Sequence, residues 1–208
     1  MENYGQAILL TGRRGVGKTT VCQAVAKLAR RRGYRPGGVI TPALYACPEL
    51  VLSKVEGQSQ RDSHGAKVGF EAVDVGSGER WPLARTDREL DGPWVGPYSF
   101  EPAGLDRALR VLERAISAGC DLLMVDEIGP LELEQGKGFA PVLDLLPVGG
   151  PTHTLIVVRP PLLDQLLLHL RDMESTVFSV TAGNRDELPM RIVEELWGID
   201  NRGRFEIR

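Results

Sequence analysis

Near the start of the chain, between an apolar run and a helical stretch, lies Gly12-Arg13-Arg14-Gly15-Val16-Gly17-Lys18-Thr19. It fits the pattern G-x-x-x-x-G-K-[ST] and limits the fold more tightly than any other stretch. The run before it, Ala7 to Thr11, reads as a buried strand. The stretch after it, Thr20 to Arg30, reads as a helix. Strand, glycine loop and helix in that order are the context in which such a loop cradles phosphate. The bland alternative is a glycine-rich turn ahead of an ordinary helix.

Gly12, Gly15 and Gly17 allow backbone angles closed to other residues and let the main chain approach a ligand. The amide groups then form a nest for phosphate oxygens, reinforced by the positive end of the helix. The nucleotide-binding set read from the motif is Gly12, Arg13, Arg14, Gly15, Val16, Gly17, Lys18, Thr19 and Thr20. Lys18 is expected at the β- and γ-phosphates and the Thr19 hydroxyl on Mg²⁺. Of Arg13 and Arg14, one is expected to touch phosphate while the other faces solvent.

A chain of 208 residues suffices for one domain with a sizeable core, taken here as 1–208 with a β-rich elaboration at about 39–100. Lys+Arg 25 against Asp+Glu 28 argues against nucleic acid as an obligatory partner. Cys22, Cys47 and Cys120 are too scattered for a metal knuckle; Cys22 and Cys120 read as buried thiols of a reducing, cytoplasmic setting. No signal peptide and no membrane span are expected.

Alternating strand and helix patterns predict an α/β fold, a three-layer arrangement around a mainly parallel sheet. The expected turn at Pro36-Gly37-Gly38 precedes a strand at Val39 to Thr41. Leu50 to Leu52 is a possible strand, and Glu56 to Gly65 reads as a mobile loop. Val68 to Val75 and Trp81 to Ala84 form a hairpin, followed by an extended Trp94 to Phe100. Helices are expected at Ala103 to Ala118, around Gly138 to Leu146, at Pro161 to Leu170 and at Asn184 to Trp197. Further strands are expected at Asp121 to Glu127, Thr152 to Arg159 and Thr176 to Val180.

Leu122-Leu123-Met124-Val125-Asp126 is an apolar strand ending in an acid. Ligands of a parallel sheet bind beyond its carboxyl ends, so Asp126 is expected to hold Mg²⁺. Glu127 directly follows and can orient a water for attack on the γ-phosphate. Its alternative is a solvated or Arg-paired glutamate. Arg159 ends another apolar strand and reads either as a catalytic cation at the γ-phosphate or as a surface ion pair. His153 and His169 read as packing or surface residues, and no zinc cluster is legible.

The chain resembles the small P-loop nucleoside-triphosphatases of archaea and bacteria related to the human cancer-related nucleoside-triphosphatase. The resemblance is carried by Gly12 to Thr20, Gly37 to Thr41, Val68-Gly69-Phe70, Ser77 to Arg80, Val95-Gly96-Pro97-Tyr98, Val125 to Leu133 and Asn184 to Leu188. It implies a RecA-like core and slow, Mg²⁺-dependent hydrolysis of nucleoside triphosphates, ATP and GTP among them, with broad base tolerance. It implies phosphate and Mg²⁺ roles for Lys18 and Thr19, Mg²⁺ for Asp126 and water activation for Glu127. It also places the strand Thr154 to Val158 between the loop strand and the Asp126 strand. Relatives usually carry a proline in the loop, where this chain has Arg13-Arg14. Two other functions remain open from sequence: a nucleotide-timed switch or chaperone acting on a protein partner, and a small-molecule or nucleotide kinase. Asn184 or Arg185 is expected near the nucleoside, unless Asn184 is only a helix cap.

Overall fold

The computed structural model describes residues 5–46, 66–146 and 153–198. Strand β1 (Gln6–Thr11) carries the apolar run, with Ala7, Ile8, Leu9 and Leu10 all fully buried. Alternate side chains leave a strand on opposite faces, and both faces of β1 are covered. Ile8 and Leu10 pack with Val21, Val25, Ile192 and Val193 in one core. Ala7 and Leu9 pack with Leu105, Leu112, Val142 and Leu166 in the other. The first core is closed by α1 (Lys18–Arg31) and α6 (Leu188–Trp197), the second by α2 (Pro102–Ser117), α4 (Ala140–Leu145) and α5 (Leu163–His169). Helices on both faces of the sheet make the three layers predicted from sequence.

The other strands are β2 (Pro36–Ile40), β3 (Ala43–Tyr45), β4 (Lys67–Asp74), β5 (Arg80–Arg85), β6 (Trp94–Val95), β7 (Tyr98–Phe100), β8 (Leu122–Ile128), β9 (His153–Val158) and β10 (Ser175–Ser179). They join one sheet in the order β10-β1-β9-β8-β2-β4-β5-β7-β6, with β3 beside β4. The pairs β10·β1, β1·β9, β9·β8 and β8·β2 are parallel. From β4 onward the pairing is antiparallel. As expected, β9 lies between β1 and β8.

Three expectations need correction. The turn predicted at Pro36-Gly37-Gly38 is strand, and β2 belongs to the parallel core. The elaboration therefore begins at β3, not at Val39. The glycines serve close packing: a Cβ at Gly37 would lie 3.0 Å from the Ala115 Cβ, and one at Gly38 2.8 Å from the Met124 amide nitrogen. The last helix starts at Leu188, with Pro189 in its first turn, rather than at Asn184. Asn184 does not cap it: its Oδ1 accepts the Thr181 N–H (2.8 Å) and its Nδ2 donates to the Ser179 carbonyl (2.9 Å), closing the turn after β10.

The stretch after β8 contains a short helix, α3 (Pro130–Leu133), where the Gly129-Pro130 pair predicts a loop. Cys22 and Cys120 are buried free thiols. His153 sits edge-on to the Trp197 ring, which itself stacks on Tyr34. The possible strand at Leu50 to Leu52, the loop at Glu56 to Gly65, and Cys47 lie outside the described residues. Among the described residues, no helix is long and apolar enough to cross a membrane.

Candidate active site

The parallel strands β1, β8, β9 and β2 end on the same edge of the sheet, and the site is assembled there. The Gly12 to Thr19 loop leaves β1 and enters α1. Gly12, Gly15 and Gly17 have φ of +146°, +77° and +105°, which only glycine adopts without strain. Gly12 is also tightly enclosed: a Cβ there would lie 2.6 Å from the Val180 carbonyl oxygen. Lys18 is buried, and its ammonium bridges the Gly12 (2.8 Å) and Arg13 (3.2 Å) carbonyls across the loop. The cation is thus already aimed into the loop's concavity.

Asp126 closes β8. It is 2 % exposed, and its Oδ2 accepts the Thr41 backbone N–H at 3.1 Å. The Thr19 hydroxyl lies close enough to the same side chain to favour its charged form. Burial, then the charge of Glu127, pushes the Asp126 carboxyl up to about 6; Thr41, Thr19 and Lys18 oppose the rise. Thr19 and Asp126, from different elements, are thus brought near one another. A hydroxyl and a carboxylate are hard oxygen donors, and they fit an Mg²⁺ ion that keeps most of its shell as water and phosphate oxygen.

Glu127 and Arg159 are brought together as well. Arg159 donates to the Glu127 Oε1 from both Nε (2.7 Å) and Nη2 (2.6 Å). Sequence reading allowed Glu127 an arginine partner and Arg159 an ion pair, and each is the other's partner. The pair borders a small, largely apolar cavity of about 50 Å³ lined in part by Phe70, Tyr98, Phe139, Glu132 and Thr41.

Arg13 and Arg14 behave differently from one another. The Arg13 carbonyl takes a bond from Lys18. Arg14 turns toward the elaboration, donates to the Tyr98 hydroxyl, and lies 5.2 Å from that ring's centre. Val16 packs at the edge of the α1 core, and Thr20 begins the helix's exposed side. On the far side of the loop the Arg185 side chain crosses Gly17, where a Cβ would sit 3.3 Å from the Arg185 Cδ. Arg185, rather than Asn184, is the member of that pair that reaches the loop.

Four site residues escaped sequence reading as such. Thr41 contributes only a backbone amide, which no motif announces. Glu132 is buried; its Oε2 accepts the Gly129 N–H (2.8 Å) and its Oε1 the Phe139 N–H (3.3 Å). Burial pushes its carboxyl up to about 7, against the two amide donors. Tyr98 belonged to a recognisable block without a role. Lys67 carried no signal, because a lone lysine after a polar stretch is ordinary. Its ammonium stands 3.9 Å over the Phe70 ring and 5.9 Å from the centre of Tyr98. Burial, then the Arg14 cation, lowers it to about 8, while Glu127 and Asp126 oppose the fall.

A phosphate loop at the end of the first strand, with an acid pair two strands away, defines a P-loop NTPase. Comparison with known proteins narrows the class. The sequence profile of the NTPase family matches residues 7–48 and 53–193, and the chain belongs to that family. It is 36 % identical over 193 residues to the nucleoside-triphosphatase THEP1 of Methanopyrus kandleri, covering 91 % of this chain and 94 % of the relative. It is 36 % identical over 195 residues to that of Hyperthermus butylicus, covering 93 % and 91 %. The crystal structure of THEP1 from the hyperthermophile Aquifex aeolicus shares the fold, with a TM-score of 0.65 at 22 % identity over 92 % of this chain and 99 % of that one.

Proposed function

We propose that the chain hydrolyses nucleoside triphosphates, ATP and GTP among them, to diphosphate and phosphate, slowly, with Mg²⁺ and with broad base tolerance. The observation that carries the reading is the Glu127 carboxylate beside Asp126 and held by Arg159 at the sheet edge where the loop lies. The family and the THEP1 relatives support it.

Loop amides and the Lys18 ammonium would take the β- and γ-phosphates, Lys18 exchanging the Gly12 and Arg13 carbonyls for phosphate oxygens. Thr19 and Asp126 would hold Mg²⁺, which when bound neutralises phosphate charge. Both Arg159 donors converge on Oε1, which leaves Oε2 of Glu127 to take a proton from water. The water oxygen bonds to the γ-phosphorus as the bond from that phosphorus to the diphosphate oxygen breaks. The diphosphate leaves, and the proton rests on Glu127. Buried free thiols at Cys22 and Cys120 suit a cytoplasmic setting.

The test is phosphate release from ATP and GTP by the purified protein with Mg²⁺. Glu127→Gln should slow it about 10²–10⁴-fold, the usual contribution of a positioned general base. Release at the wild-type rate by this variant would overturn the reading.

A further inference from the structure

The antiparallel elaboration is not needed to build the loop or the acid pair, yet it presents a cation to them. Lys67 lies on β4, and its ammonium is held by the Phe70 ring at 3.9 Å, with Tyr98 beyond it. Phe70 and Tyr98 are themselves tilted against one another, with ring centres 4.8 Å apart. Tyr98 in turn accepts a hydrogen bond from Arg14 of the phosphate loop. A chain of contacts thus runs from the loop through Arg14 and Tyr98 to Phe70 and Lys67. Phe70 and Tyr98 also line the cavity bordered by Glu127 and Arg159. The charges acting on the Lys67 ammonium are Arg14 from the loop, Asp126 and Glu127 from β8, and Arg159 after β9.

Two further cations, Arg14 and Arg159, beside a half-buried ammonium are mutually repulsive. A lysine serving only to cover Phe70 gains little from such neighbours. Glu127 is already engaged by Arg159, so a triphosphate brings the further anionic charge that Lys67 and Arg14 can take up, and the γ-phosphoryl group is its exposed end. Resting on the hydrolysis reading above, we infer that Lys67 is a further catalytic residue, contacting the γ-phosphoryl oxygens from the side of the elaboration, across from Lys18. The Phe70 face takes one side of the ammonium, and a cation–π contact of this kind leaves its opposite side able to donate to an anion. Its contact strengthens as charge develops on the transferring phosphoryl oxygens.

The test compares wild type with Lys67→Met and Lys67→Arg in steady-state hydrolysis of Mg²⁺-ATP. It also measures binding of ADP alone and of ADP with aluminium fluoride, an imitation of the transferring phosphoryl group. Lys67→Met should lower kcat about 10²-fold, the typical loss of one oxyanion donor. KM and ADP affinity should stay near wild type, and the fluoride complex should be lost. Lys67→Arg should recover part of the rate. The wild-type kcat/KM, which reports the free protein, should also fall as pH rises through about 8, and that limb should be missing from Lys67→Arg, whose guanidinium stays charged. Phe70→Leu keeps the ammonium but removes its platform and should give an intermediate loss. Wild-type kcat and fluoride trapping in Lys67→Met would overturn the inference, as would an equal loss of ADP affinity. If wild type released no phosphate, the hydrolysis reading would fail, while fluoride trapping by wild type and not by Lys67→Met would still support the contact.

Discussion

Arg159 directs two of its donors to one oxygen of Glu127, at 2.7 and 2.6 Å, which holds the carboxylate and leaves its other oxygen without an Arg159 contact. In the proposed mechanism Arg159 acts as a positioning group for Glu127. Arg159→Ala should lower kcat by about 10–10²-fold, less than loss of the base itself. Because the two act as one unit, Arg159→Ala combined with Glu127→Gln should be barely slower than Glu127→Gln alone. Phosphate-release rates for the three variants decide it. Strictly multiplicative losses would mean that the arginine acts on the nucleotide independently of the glutamate.

Asp126 pairs a functional demand with a structural cost. Its carboxyl is raised from 3.8 to about 6 chiefly by burial, so at neutral pH the fold carries a desolvated charge. The folded state holds this proton more tightly than the unfolded chain. The stability tied to the protonated form is complete below pH 3.8 and lost as pH rises through about 6. Asp126→Asn keeps an oxygen for the Thr41 N–H and removes the charge. In the ligand-free protein at pH 7 it should be more stable by roughly 1–3 kcal/mol. It should also lose the stabilisation that Mg²⁺-ATP gives the wild type. Denaturant titrations with and without Mg²⁺-ATP measure both effects. A destabilised Asp126→Asn would show that burial is not the dominant influence on this carboxyl.

How much of this was legible depends on whether the chemistry sits in contiguous residues. The loop from Gly12 to Thr19 and the acids at Asp126 and Glu127 are local patterns, so their residues and strands could be placed without coordinates. The interleaving of β9 between β1 and β8 came from the resemblance alone, because hydrophobic runs carry no information on neighbour order. Gly37-Gly38 was misread because two adjacent glycines mark a turn as often as a crowded strand. Only the Ala115, Cys120 and Met124 atoms packed against them decide between the two. The contact between Arg14 and Tyr98 spans 84 positions, and Lys67 comes within electrostatic reach of Asp126 and Glu127 only through the pairing of β4 with β2. No pattern in the chain encodes such distances.

Glu132 gives a pH signature separable from that of Asp126. Its carboxyl is raised from 4.5 to about 7 by burial, although it accepts two backbone N–H groups. Its protonated form is favoured by folding, so this contribution is complete below pH 4.5 and is lost as pH rises through about 7. Glu132→Gln cannot ionise and retains one carbonyl acceptor for the two amides. It should cost about 1 kcal/mol at low pH through the lost bond. Between pH 4.5 and 7 its stability should fall less steeply than that of wild type. Urea midpoints across that range test the slope, and parallel profiles would remove Glu132 as a source of the pH dependence.

Gly38 is where the parallel core and the site depend on the same atom-sized gap. It lies on β2 next to Met124 of β8, the strand that carries Asp126, with φ of +97°. A methyl group there would collide with the Met124 backbone, whose amide nitrogen lies 2.8 Å from the added Cβ. The backbone of a central strand cannot yield as the end of a flexible side chain can. Gly38→Ala should therefore cost the strain of a positive φ and about 1–3 kcal/mol more for overpacking. Pushing β8 aside would also displace the Thr41 amide from Asp126, so activity should fall even where the variant remains folded. Gly78→Ala is the matched comparison. Its φ is +80°, but nothing lies within 4 Å of the added Cβ, so it should cost only the backbone strain. The difference between the two in denaturant midpoint isolates the packing contribution. Equal losses in the two variants would mean that β2 and β8 can separate at no cost, against the close contact described for this pair.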